Sequence, residues 1–198
     1  MAKEEDYYDF YEIESGREKF VDSDFPTDDA IYWSDMPGET NTRISTQMVE
    51  RNLTWKRPTE VYKDISLFGR SGVIPGDVDQ GQLGDCWLMA AISGVAEYPE
   101  RIESIFHNTE LSRNGIYAVN IYALGIPHTV IIDDFLPFMP HPKDPRVHKL
   151  AYAFLGSENA IWGPLIEKVL AKYTGNYWHI DGGVIYDGVS MLNGSPYE

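Results

Sequence analysis

Apolar residues run almost unbroken from Cys86 to Ala96, in Cys86-Trp-Leu-Met-Ala-Ala-Ile-Ser-Gly-Val-Ala96. A helix apolar on all sides is a buried one, so this segment predicts a central core helix. Asp85 stands in its N-cap position, and Gly81 and Gly84 allow a sharp turn into it. A second helix is predicted where Trp162, Leu165, Ile166, Val169, Leu170 and Tyr173 recur at helical spacing. Its other face carries Glu167, Lys168 and Lys172 and reads as solvated. Between the helices, Arg113-Asn-Gly115 signals a turn ahead of Ile116–Leu124 and Thr129–Phe135. Both of those runs are β-branched or aromatic and read as strands.

The remaining pattern is irregular. Pro26 to Pro58 reads as loop, with a turn at Pro37-Gly38, and so does Phe68 to Asp77. Pro137, Pro140, Pro142 and Pro145 predict an irregular stretch, and the tail from Asp181-Gly-Gly183 onward reads as loop. Residues 1–19 show neither helical nor strand period and predict an acidic arm, disordered or loosely docked. Its Tyr7, Tyr8, Phe10 and Tyr11 fit a segment wrapping onto the domain surface, or more sharply a partner-binding arm. No internal repeat is visible.

Composition bounds the function classes. A chain of 198 residues with 43% hydrophobic residues can bury one sizeable core. No stretch reaches the length of a membrane span, and the polar, acidic N-terminus does not resemble a signal peptide. The formal charge of −15 disfavours phosphate backbones, and thus nucleic acid, as partners. Eleven of the acids fall within the first 29 residues, against three bases. The single cysteine excludes an internal disulfide and points to a reducing, cytoplasmic setting.

Cys86 then becomes the candidate for chemistry. The first turn of a helix stabilises a thiolate through unpaired N–H groups and the helix dipole. The backbone N–H there, with a side-chain amide such as Gln80 or Gln82, can receive an oxyanion. A small buried hydrophobe is the competing account, and Asp85 next door opposes ionisation. On thiol chemistry alone both readings stand.

The segment Gln80-Gly-Gln-Leu-Gly-Asp-Cys-Trp87 resembles the nucleophile motif of the calpains, calcium-dependent papain-like cysteine proteases. Lys19-Phe-Val-Asp22, Asp24-Phe-Pro26 and Trp55-Lys-Arg-Pro-Thr-Glu60 resemble the calpain lead-in. Val130-Ile-Ile-Asp-Asp134 with Leu136-Pro137, Trp162 with Leu165-Ile-Glu-Lys168, and Asp181-Gly-Gly183 extend the likeness. It implies an α/β (α+β) papain-like half: a central buried helix starting at the nucleophile, a second helix and a small sheet. Residues 20–198 are expected to form the first, cysteine-bearing subdomain of a protease core, with residues 1–19 as the arm. Cys86 is then the nucleophile, Gln80 the oxyanion-hole glutamine, and Gln82 and Trp87 structural.

Papain-like sites place His and Asn about 130–150 residues after the cysteine, whereas 112 residues follow Cys86. None of His107, His128, His141, His148 and His179 sits in a calpain-like histidine context. The resemblance therefore implies a calpain-like endopeptidase piece, acting on proteins once a second subdomain is supplied in cis or in trans, and inactive alone. The alternative is a non-catalytic interaction module. The family's loop calcium site maps onto Asp77, the carbonyls of Arg70 and Gly72, and a second carboxylate position held here by Ala160. Glu158, two residues away, is the substitute candidate. Oxygen ligands of this kind suit calcium.

Overall fold

The computed structural model describes residues 4–27 and 53–194, so the turn at Pro37-Gly38 and the side chains of Tyr7 and Tyr8 lie outside the described residues. In chain order the helices are α1 (Glu4–Ser15), α2 (Pro58–Val61), α3 (Cys86–Ala96), α4 (Pro99–Glu103), α5 (Trp162–Thr174) and α6 (Ile185–Asn193). The strands are β1 (Thr54–Lys56), β2 (Ile116–Ala123), β3 (Ile126–Asp133), β4 (Leu136–His141) and β5 (Asp144–Leu150). Strands β2 and β3 form an antiparallel hairpin, and β1, β4 and β5 form a separate antiparallel sheet in the order β1-β4-β5. The mixture of helices and small antiparallel sheets is the α+β architecture expected of a papain-like half.

Helix α3 is the core helix that its composition predicts, burying Leu88, Met89, Ala91, Ile92, Val95 and Ala96. Helix α5 belongs to the same core, with Leu165, Ile166, Val169 and Leu170 fully enclosed. Burying side chains of that size contributes about 1.5–3 kcal/mol each before the entropy of ordering them is counted.

The supposed solvent face of α5 is a second packed face. Glu167 and Lys168 are 2% and 0% exposed. The Lys168 ammonium donates to Asp133 Oδ1 at 2.5 Å and to the Phe135 carbonyl at 2.7 Å. Lys172 donates to both carboxylate oxygens of Asp22 at 2.8 Å. Arg57 pairs with buried Asp134. Three cations thus tie the lead-in segment, the end of β3 and α5 together. Charged residues at helical spacing mark an outer face only when water, rather than a counter-charge, meets them.

Three further expectations give way. The proline-rich stretch forms β4 and β5, because Pro145 sits on the edge strand and a register shift at Pro140/His141 accommodates the break in the ladder. The tail beyond Gly183 forms α6, whose packing on α3 overrides its weak local propensity. The arm is helical as α1 and docked, in keeping with a segment that wraps onto the domain. Phe10, fully buried, packs on Ile116 and Ala118 of β2. The Asn114 side-chain amide donates to the carbonyls of Ile13, Glu14 and Gly16 at 2.6–2.9 Å. It thereby satisfies acceptors that every helix leaves open at its C-terminal end.

Candidate active site

Cys86 is the first residue of α3 and is exposed to solvent. The first N–H groups of a helix have no partner inside it, so the thiol stands beside unpaired donors and the positive end of the helix dipole. Two surfaces hold the turn that leads there. On one side the Gln82 N–H donates to the Ala151 carbonyl at 3.0 Å. A Cβ on Gly81 would lie 1.8 Å from the Tyr152 carbonyl oxygen, so residue 81 must be glycine for this close approach. On the other side the Trp87 indole N–H donates to the Ile180 carbonyl at 3.0 Å.

Gln80 lies on the same turn. Its side-chain amide donates to the Leu83 carbonyl at 2.6 Å, which leaves the second amide proton for another acceptor. Asp85 departs from the expected capping role. Its carbonyl accepts from the N–H groups of Leu88 and Met89, but its side chain makes no cap hydrogen bond and is fully buried. Burial, opposed by the neighbouring Glu167 carboxyl and helped by the charge of Asp181, moves the Asp85 carboxyl up to about 6. Burial likewise raises Glu167 well above the usual carboxylate range, with Asp85 as the next cause. The pairing of Asp85 with Glu167 was not legible in the sequence, since no local pattern links positions so far apart.

The five histidines are engaged elsewhere. His107 Nε2 meets Asn120 Oδ1 at 3.0 Å, His128 packs on the Tyr173 ring and the His141 ring accepts from the Lys143 N–H. His148 sits opposite Pro140 in the β4–β5 ladder, and the His179 ring lies 2.6 Å from the Thr174 carbonyl. None of these contacts involves Cys86.

The residues considered for calcium cluster at a separate place. Asp77, 5% exposed, accepts from the Ser157 N–H at 2.8 Å and from its hydroxyl at 2.5 Å. The adjacent Glu158, in the left-handed region at φ 55°, turns its carboxylate onto the N–H groups of Arg70 and Ser71 at 2.6 and 3.0 Å. Those hydrogen bonds, Ser71 first, hold the Glu158 carboxyl below its usual range. The structure thus brings Asp77, Glu158 and the loop of Arg70 and Gly72 together, while Ala160 brings no side-chain oxygen. The oxygen donors suit calcium in kind, yet both carboxylates already accept from N–H or O–H groups. Among the described residues no three His, Cys, Asp or Glu side chains converge as a metal cage.

The family model described as "Calpain family cysteine protease" matches residues 20–198. The chain belongs to the calpain family. It is 31% identical over 191 residues to the calpain-type cysteine protease ADL1 of Oryza sativa subsp. japonica, covering 94% of this chain and 8% of that protein. It is 32% identical over 189 residues to calpain-5 of Mus musculus, covering 90% and 26%. Calpain-5 of Caenorhabditis elegans is 29% identical over 190 residues, covering 92% and 26%. The chain therefore spans about a quarter or less of the length of these calpains. The match begins at residue 20, so α1 lies outside the family model and is nonetheless packed against its hairpin. No helix among the described residues is long and apolar enough to cross a membrane.

Proposed function

We propose that this chain carries the nucleophilic half of a calpain-type endopeptidase site. The observation that carries the reading is the exposed Cys86 thiol at the start of α3, on the turn that also holds Gln80. In this reading the Cys86 thiolate attacks a peptide carbonyl carbon. The oxyanion that forms is received by the Cys86 N–H and the second amide proton of Gln80. The base that takes the thiol proton and returns it to the leaving amine is a histidine, oriented by an asparagine, on a second subdomain acting in cis or in trans. Residues 1–198 alone then bind protein substrate without cutting it, because the five histidines are engaged away from the thiol.

The surface beside the thiol supports a docked second half. Val184, Ile185 and Tyr186 are about half exposed, directly after Gly183, which lies against the Trp87 ring. Calcium dependence enters through Asp77, Glu158 and the carbonyls of Arg70 and Gly72, which would hold the ion and brace the loop. A single exposed thiol fits a reducing, cytoplasmic setting. The test is reconstitution: a calpain second subdomain fused after Glu198 or added in trans should yield peptide hydrolysis that Cys86→Ala abolishes. If the folded assembly hydrolyses nothing and Cys86 resists thiol-directed electrophiles, the interaction-module reading takes its place.

A further inference from the structure

We propose that Asp181 is a positioning residue for Cys86, acting through the Gly84 amide; this rests on the reading of Cys86 as nucleophile. Residues 180–182 grip the nucleophile turn on both sides of the thiol. Upstream, Gly84 is bound at both ends of its backbone. Its N–H donates to Asp181 Oδ1 at 2.7 Å, and its carbonyl accepts from the Gly182 N–H at 2.9 Å. Downstream, the Trp87 indole is bound to the Ile180 carbonyl. The approach is close: a Cβ on Gly84 would lie 2.2 Å from Asp181 Oδ1, so a side chain there would push the carboxylate aside.

A backbone N–H bonded to a carboxylate is held more strongly than one bonded to a neutral oxygen. Fixing Gly84 sets the chain direction through Asp85 into Cys86, and with it the N–H that receives the oxyanion. Two substitutions separate the acceptor oxygen from its charge.

The experiment is the pH dependence of Cys86 alkylation by iodoacetamide in the 198-residue chain, with circular dichroism and thermal unfolding as checks on the fold. Asp181→Ala removes the acceptor and should slow alkylation at the high-pH plateau by about tenfold, the loss of one hydrogen bond to a charged acceptor. Asp181→Asn keeps an acceptor oxygen and removes the charge. It should hold the wild-type plateau. If Asp181→Ala unfolds, Asp181→Asn alone still decides: a plateau slowed about tenfold overturns the proposal, because the acceptor oxygen is then not what positions the turn. Equal slowing by both variants, or no slowing by a folded Asp181→Ala, also overturns it. A wild-type Cys86 no more reactive than a free thiol defeats the nucleophile reading itself, which is a separate result.

Discussion

Asp85 and Glu167 meet inside the core, and no cation is among the groups acting on either. Two buried carboxyls can share a hydrogen bond only when one keeps its proton. Burial raises both, and the Glu167 oxygens also accept from the Ala153 N–H at 3.1 and 3.2 Å. The residue before the nucleophile is thus turned toward Glu167 of α5 rather than capping α3, and neither of its carboxylate oxygens has a donor among the described residues.

That pair makes stability depend on pH. Asp85 titrates near 6 in the folded chain against an ordinary value of 3.8. Between those values the folded state holds a proton that the unfolded state has released. This contribution therefore weakens as pH rises from about 4 to about 6. Asp85→Asn should make that part of the profile less steep, leaving the slope that the raised Glu167 carboxyl contributes above its ordinary value. Urea unfolding of both proteins across the window checks it, and an unchanged slope rejects the assignment.

Lys168 is expected to be the costliest single cation to remove. It is fully buried against Asp133, and burial lowers its pKa despite that partner. Lys168→Ala strands the Asp133 carboxylate and should destabilise by about 3–5 kcal/mol. Denaturant unfolding at neutral pH measures the loss, and a change near zero would show that the pair is not closed to water.

Docking of α1 should fail locally. Phe10→Ala removes the buried anchor on β2, and Asn114→Ala removes the donor to the last carbonyls of the helix. Each should make residues 4–15 cleavable by protease and open to amide exchange, while protection in α3 and α5 persists. Loss of protection throughout the domain would instead make α1 part of the cooperative core.

At the proposed calcium site, binding requires Glu158 to exchange its Arg70 and Ser71 amide bonds for metal bonds. Glu158→Gln keeps an acceptor for the amides but loses the charge, and should weaken binding at least about tenfold, the scale of one charged ligand in an oxygen site. Calorimetric titration of calcium into both proteins measures this. Equal binding by the two would place the ion elsewhere.

Much of the fold was legible because it is encoded locally. The unbroken apolar run specified α3, the spacing of Trp162 to Tyr173 specified α5, and β-branched runs specified β2 and β3. The wording around Cys86 was legible too, since its eight residues are contiguous. Helix α6 and strands β4 and β5 were not, because glycine and proline weaken the local signal where packing and a register shift restore order.

The sequence by itself determined the buried helix, the cysteine at its start and the family. Only the tertiary structure decided the partners of Asp85, Glu167, Lys168 and Asp181. A side chain's periodicity reports which face it occupies, whereas its charge is satisfied by whatever the fold brings opposite. Glu167 and Lys168 look solvated along the chain, yet α5 carries one to Asp85 and the other to Asp133. The difference is physical: burial and counter-charge belong to the assembled core, not to any single segment.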